Sequence, residues 1–396
     1  MRVLIVSENL ATPSAGDQIA RGLGKVLLAA GHEIAFFSPE PLPPNEPKLQ
    51  GVKVFSAPKG GLLGYVVNAA QARAMDTAVE AFRPDIAHLV VLGHVGGLSH
   101  NVIKVLHDRG IATVNAPVSY IPMCMNTYFY RKGVGVCYLC NGHQYRWGVR
   151  YLCGGEHGSL TQWVAKHLQR KTLSEVSLWL STNPDFDRAL LAYGIPASRI
   201  MRTYHPFDWD RVAGVTPQAG DAFVFNAQCR VEKGAHIFPE IFKRVQGCRF
   251  ELYFWSQLWP DLDKLRSEKN DVFYTFDLHW DTGVKAALAR ARAAVLPTVN
   301  PSFGELAVYE AMALSKPVVA FRVGANPLLL RDQVDGFLAQ EGDVAALAAA
   351  VERLQDQPGL ALEMGQAARE RASELFGEEA VSVLMAQAYH QALGRS

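Results

Sequence analysis

Short apolar runs alternate with segments of helical period along most of this chain, and that alternation restricts the fold more than any other feature. Val3 to Val6 is an apolar run closed at once by Ser7, Glu8 and Asn9, which suits a buried parallel strand. After the turn Thr12-Pro13-Ser14-Ala15-Gly16-Asp17, the residues Ile19, Leu23, Val26 and Leu27 recur at helical spacing up to Gly31-His32. Glu33 to Ser38 is the next strand candidate, so the opening reads as a βαβ unit. The rhythm repeats with expected strands at 52–56, 86–92, 111–116 and 176–180 and helices at 66–81, 98–108 and 185–193. A second series is expected from Ala222, with strands at 222–225, 250–255, 272–276, 293–297 and 317–321 and alanine-rich helices from Val344 to Leu393. The pattern predicts an α/β protein with mostly parallel sheets.

The 396 residues exceed the usual ~100–200 of one domain, so two domains are expected. The best boundary is Tyr204-His205-Pro206-Phe207-Asp208-Trp209-Asp210 and the stretch to Gly220. It divides an N-terminal domain, 1–205, from a C-terminal one, 206–377, with a cleft between them. Lys plus Arg total 39 and Asp plus Glu 38, so no basic excess marks a nucleic-acid coat. No stretch approaches the ~18 apolar residues of a membrane span, and Val3 to Val6 is too short for a signal-peptide core. A soluble, cytoplasmic chain is expected.

The most informative stretch is Pro301-Ser302-Phe303-Gly304-Glu305-Leu306-Ala307-Val308-Tyr309-Glu310-Ala311-Met312-Ala313-Leu314-Ser315-Lys316-Pro317-Val318-Val319-Ala320. A strand ends near Pro297, small residues turn, and a helix is expected from about Gly304. Its free N–H groups and dipole favour phosphate. Glu310 lies about a turn and a half in, where a carboxylate can accept ribose hydroxyls. This segment resembles the signature of retaining, family-4-like glycosyltransferases of the GT-B fold: Glu, seven residues, a second Glu, Ala-Met-Ala, then a Pro-Val-Val-Ala strand. Glu310 matches the second Glu, the family's ribose holder. Ser302 stands at the first, so Ser302 or Glu305 is expected to supply the donor-sugar contact.

Asn226-Ala227-Gln228-Cys229-Arg230-Val231-Glu232-Lys233-Gly234 is similar to the family's strand-end loop. Lys233 and Gly234 match, Gln228 stands where Arg is usual, and Arg230 lies two residues on. Such cations neutralise a departing diphosphate. Ala15-Gly16-Asp17 resembles the glycine loop after the first strand. No His occurs at Val118-Ser119-Tyr120, where the family places one facing the donor sugar; His94 is an alternative.

The resemblance implies two Rossmann-like, doubly wound domains, with a last helix at about 378–394 returning to the first. It implies transfer of a sugar from a nucleotide-sugar donor, a UDP- or GDP-sugar, with retention at the anomeric carbon. Lys233, Arg230 and Glu305 would act on the reacting groups; Gly16, Gln228, Ser302, Phe303, Gly304, Leu306 and Glu310 would bind the donor. No catalytic metal is implied. The alternative is a non-catalytic nucleotide-sugar-binding or scaffold protein on the same fold.

The alternation breaks at about 117–160, an insertion rich in Cys, Tyr, Gly and Arg. Cys124, Cys137, Cys140 and Cys153 are spaced to close a tetrahedral structural zinc site. An iron–sulfur cluster or unliganded thiols are the alternatives. Arg131, Lys132, Arg146 and Arg150 interleave there with Tyr128, Tyr130, Tyr145 and Trp147. That mix suits an anionic acceptor, or peripheral contact with the inner membrane face and a lipid-linked acceptor there, or a solvated face; a carbohydrate, lipid-linked or small-molecule acceptor is expected.

Overall fold

The computed structural model describes residues 1–8, 10–11, 14–44, 46–59, 68–91, 98–120, 130–131, 135–136, 172–228, 230–254, 272–275 and 279–394. The chain forms two compact units, one built from Met1–Arg131, Cys137–Asp208 and Phe376–Ser396, the other from Lys132–Val136 and Trp209–Leu375.

The first unit carries β1 (Arg2–Ser7), α1 (Ala15–Ala29), β2 (Glu33–Ser38), β3 (Lys53–Ser56), α2 (Ala69–Phe82), β4 (Ile86–Val91), α3 (Asn101–Asp108) and β5 (Ala112–Asn115). A small local ribbon follows, β6 (Tyr130–Arg131) with β7 (Gly135–Val136). Then come β8 (Leu178–Ser181), α4 (Pro184–Ala192) and β9 (Ile200–Arg202). The seven-stranded sheet has the order β3-β2-β1-β4-β5-β8-β9, and its adjacent strands pair in parallel. Val3 to Val6 are wholly buried, the state a continuous apolar run requires in a sheet covered on both faces. Helix starts are locally encoded. Ser14 accepts the Asp17 amide at 3.3 Å, and Asn183, before Pro184, accepts the Phe186 amide at 2.8 Å.

The second unit carries β10 (Ala222–Ala227), α5 (Phe238–Arg244), β11 (Arg249–Phe254), β12 (Val272–Thr275), α6 (Lys285–Ala289) and β13 (Ala293–Leu296). It continues with α7 (Leu306–Ala313), β14 (Val318–Phe321), α8 (Asn326–Leu329), β15 (Gly336–Ala339), α9 (Val344–Asp356) and α10 (Pro358–Phe376). Its six strands are ordered β12-β11-β10-β13-β14-β15, also parallel. Both sheets extend on either side of their first strand, which is the doubly wound arrangement. Among the described residues, no helix is long and apolar enough to cross a membrane.

The last helix, α11 (Glu378–Ala392), lies in the first unit against α1, β5 and β8. Its anchor is Tyr389, whose hydroxyl lies 3.0 Å from His88 Nδ1 on β4, both side chains being buried. Burial, with His205 adding repulsion, lowers the His88 imidazole to about 3. The unfolded chain takes up this proton near the ordinary value of ~6.5, while the folded chain does not until near 3. Stability from this group is therefore complete above pH ~6.5 and falls by up to ~1.4 kcal/mol per pH unit below it. Between about pH 7 and pH 5 the wild type should lose ~2 kcal/mol more than His88→Gln in urea unfolding. Equal losses would show that His88 is not a neutral buried anchor.

Candidate functional site

In the second sheet β10, β13 and β14 are neighbours, so the loops leaving their carboxyl ends stand side by side, where open α/β sheets bind ligands. Close backbone approaches knit these loops together. Gly234 has φ +79°, and a Cβ there would stand 1.9 Å from the Pro297 carbonyl oxygen at the end of β13. The Val299 amide donates to the Glu232 carbonyl at 3.2 Å. On the other side, a Cβ on Gly324 would stand 2.4 Å from the Ser302 nitrogen, and the Ala325 amide donates to the Ser302 carbonyl at 3.0 Å. Only glycine permits either approach.

This packing brings Lys233 and Glu305 together: the ammonium donates to Glu305 Oε1 in a partly buried ion pair. The Lys233 side chain remains 20% exposed and that of Glu305 only 7%. Helix α7 begins at Leu306, two residues later than the sequence pattern predicts. The reason is Gly304, whose φ of +102° is not helical and whose absent Cβ leaves room for the Tyr309 ring. Glu305 becomes the N-cap with extended backbone, yet its side chain makes no capping bond. Its carboxylate goes to Lys233 instead of the first turn of α7.

Glu310, 1% exposed, is held from two directions. Arg211 Nε donates to Oε1, and Asn226 Nδ2, near the end of β10, donates to Oε2 at 3.3 Å. The Arg211 guanidinium lies 4.4 Å from the centroid of the Trp280 ring, and Trp280 Nε1 donates to the Arg211 carbonyl at 2.9 Å. Burial raises the Glu310 carboxyl above its ordinary range, opposed by the adjacent guanidinium and the Asn226 bond. Arg211, Asn226 and Trp280 escape the sequence reading as site residues. Arg211 sits in a linker turn 99 residues from its partner, and no local spacing signals such a pairing.

The remaining candidates are distributed as follows. Ser302 and Phe303 are buried in the loop before α7. Gln228 is half-buried just beyond β10. Arg230 pairs with Glu232 on its own turn at 3.2 Å, with its side chain 47% exposed. Gly16 lies in the first unit, inside the first turn of α1 rather than in a loop before it. Tyr120, in the stretch near which the resemblance places a His, donates its hydroxyl to Asn183 Oδ1 at 3.2 Å. His94 and the four cysteines 124, 137, 140 and 153 lie outside the described residues. Among the described residues, no group of three or more His, Cys, Asp or Glu side chains is placed to hold a metal.

Residues 221–357 match the family described as Glycosyl transferases group 1. The match spans β10 to the end of α9 and contains Lys233, Glu305 and Glu310. D-inositol 3-phosphate glycosyltransferase of Streptomyces griseus is 41% identical over 99 residues, 25% of this chain and 21% of that protein. The chain thus matches about a fifth of that curated relative's length. Among solved structures, sucrose-phosphate synthase (tll1590) from Thermosynechococcus elongatus aligns over 100% of both chains with a TM-score of 0.66 and 18% identity. Anabaena Alr3699/HepE in complex with UDP-glucose aligns over 98% of both chains with a TM-score of 0.65 and 14% identity. The two parallel α/β units together with these full-length likenesses establish a GT-B, Rossmann-like fold.

Proposed function

We propose that this protein is a glycosyltransferase that moves a sugar from a nucleotide-sugar donor to an acceptor hydroxyl with retention at the anomeric carbon. One observation carries the reading. The segment that matches the glycosyltransferase family places a lysine, a helix start whose N-cap Glu305 turns to that lysine, and a buried carboxylate around one sheet edge. Each suits one part of a nucleoside diphosphate. Lys233 faces the diphosphate, and the N–H groups at the start of α7 complement its negative charge. Glu310 accepts the ribose hydroxyls. A carboxylate this deeply buried gains most from them, because water does not compete.

In the reaction, the bond between the anomeric carbon and the phosphate oxygen breaks, and the electron pair leaves with the nucleoside diphosphate. The acceptor oxygen bonds to the same carbon from the same face. Its proton passes to the departing phosphate oxygen, so no protein base is required near Val118-Ser119-Tyr120, where the resemblance places a His and this chain has none. Lys233 stabilises the charge that collects on the leaving group. The Glu305 carboxylate orients the lysine before the donor arrives, and the diphosphate then competes for the same ammonium.

Incubation with UDP-glucose, UDP-galactose, UDP-N-acetylglucosamine and GDP-mannose should release a nucleoside diphosphate from at least one donor. An α-linked donor should yield an α-linked product by NMR. A donor that binds in calorimetry but is never turned over with any acceptor or water would favour a non-catalytic nucleotide-sugar-binding protein. Absence of binding by all four would reject the donor site itself.

A further inference from the structure

We infer that Arg211 is a positioning residue for donor binding: packed on the Trp280 ring, its guanidinium holds the Glu310 carboxylate in a single orientation for the ribose. The inference rests on the ribose assignment of Glu310 and adds a residue that does not itself touch the donor.

Arg211 stands in the turn Trp209–Val212, which opens the second unit. Three contacts immobilise it. Its Nε donates to Glu310 Oε1, its guanidinium carbon lies 4.4 Å from the Trp280 ring centroid, and its carbonyl accepts Trp280 Nε1 at 2.9 Å. The preceding residue in that turn but one, Trp209, is itself stacked under Arg369, 4.4 Å from its guanidinium carbon. The turn is thus pinned on two sides, and the Arg211 side chain is only 9% exposed. Each oxygen of Glu310 receives one protein donor, Arg211 on Oε1 and Asn226 on Oε2. A carboxylate has about four lone-pair sites, so two directions are left for ligand hydroxyls, one per oxygen.

The charge of Glu310 depends on few neighbours. Arg211 faces it from the turn and favours the carboxylate, whereas Asp281, from the segment carrying Trp280, disfavours it. Glu305, at the head of the same helix, is paired with Lys233. With Arg211 gone, burial and Asp281 act unopposed except by Asn226, and the carboxyl takes up a proton at higher pH. A protonated carboxyl accepts hydroxyls more weakly than a carboxylate. Loss of Arg211 therefore weakens donor binding in a way that raising the pH lessens, which a purely structural role for the arginine does not predict.

The test is calorimetric titration with UDP, or with GDP where the wild type does not take UDP, at about pH 7 and about pH 9. Arg211→Gln should bind about tenfold more weakly at the lower pH, and its loss relative to the wild type should be smaller at the higher. Arg211→Lys keeps the charge, so its smaller loss should be the same at both values and its circular dichroism should match the wild type. Combined with Glu310→Gln, the change Arg211→Gln should weaken binding no further than Glu310→Gln alone. A loss that ignores pH, or an added loss in the double variant, would overturn the inference while leaving the ribose assignment standing. A gain in affinity on Arg211→Gln would also overturn it, and would mark the guanidinium as an occupant of the ribose position. If Glu310→Gln alone binds like the wild type, the ribose assignment itself fails.

Discussion

Lys233→Ala should cut kcat/KM for sugar transfer by about 10²–10³-fold, the scale of removing one electrostatic donor from a developing charge. In the proposed reaction the leaving diphosphate gains up to one negative charge as the glycosidic bond breaks, so Lys233 should interact more strongly in the transition state than with bound donor. The loss should accordingly fall mainly on kcat. The structure makes the lysine hard to replace. The usual Arg of the resembling loop is Gln228, and Arg230, the nearest other cation on that loop, is half exposed and paired with Glu232. Removing Lys233 also leaves Glu305 without its cation beside the proposed phosphate position, which would add repulsion. Lys233→Arg keeps a charge on the Glu305 carboxylate and should retain more activity than Lys233→Ala. Wild-type turnover by Lys233→Ala would show that the mechanism is wrong.

Glu310→Gln should weaken donor binding by about 10–10²-fold, since hydrogen bonds to a charged acceptor contribute about 1.5–3 kcal/mol and a neutral amide keeps only part of that. The ribose is remote from the reacting carbon and is held equally in the ground and transition states. KM should rise while kcat changes little. That signature is opposite to the one expected of Lys233, and steady-state kinetics on the two variants separates the roles. Glu310→Gln also removes the counter-charge of a mostly buried arginine, so its midpoint of thermal unfolding should fall. Gln can still accept from Arg211, and an amide flip of Asn226 restores the second bond, so the variant should fold. Unchanged donor affinity by calorimetry would refute the ribose assignment.

Much of the fold is legible in local pattern. Strands such as Val3 to Val6 and Val318 to Phe321 are continuous apolar runs, and only a sheet covered on both faces buries such runs completely. Caps such as Ser14 and Asn183 are written into the sequence because their bonds span three residues. The start of α7 is misread by two residues, because Gly304 serves a positive φ rather than a helix turn. Sequence pattern shows a glycine but not the sign of its dihedral angle.

What the sequence by itself determined is the type of architecture and the chemical inventory of one loop and one helix: two parallel α/β series, Lys233 beside Gly234, and Glu310 behind Glu305. What only the tertiary structure decided is which of these groups meet. Lys233 pairs with Glu305 across 72 residues, Asn226 reaches Glu310 across 84, and Arg211 reaches it across 99. His88 meets Tyr389 across 301. The physical reason is strand order. Hydrogen bonding sets β10 beside β13 and β13 beside β14, and that adjacency lays their carboxyl-end loops together whatever lies between them in the chain. Periodicity records which face of an element is buried, but the neighbour it is buried against is chosen by the whole sheet.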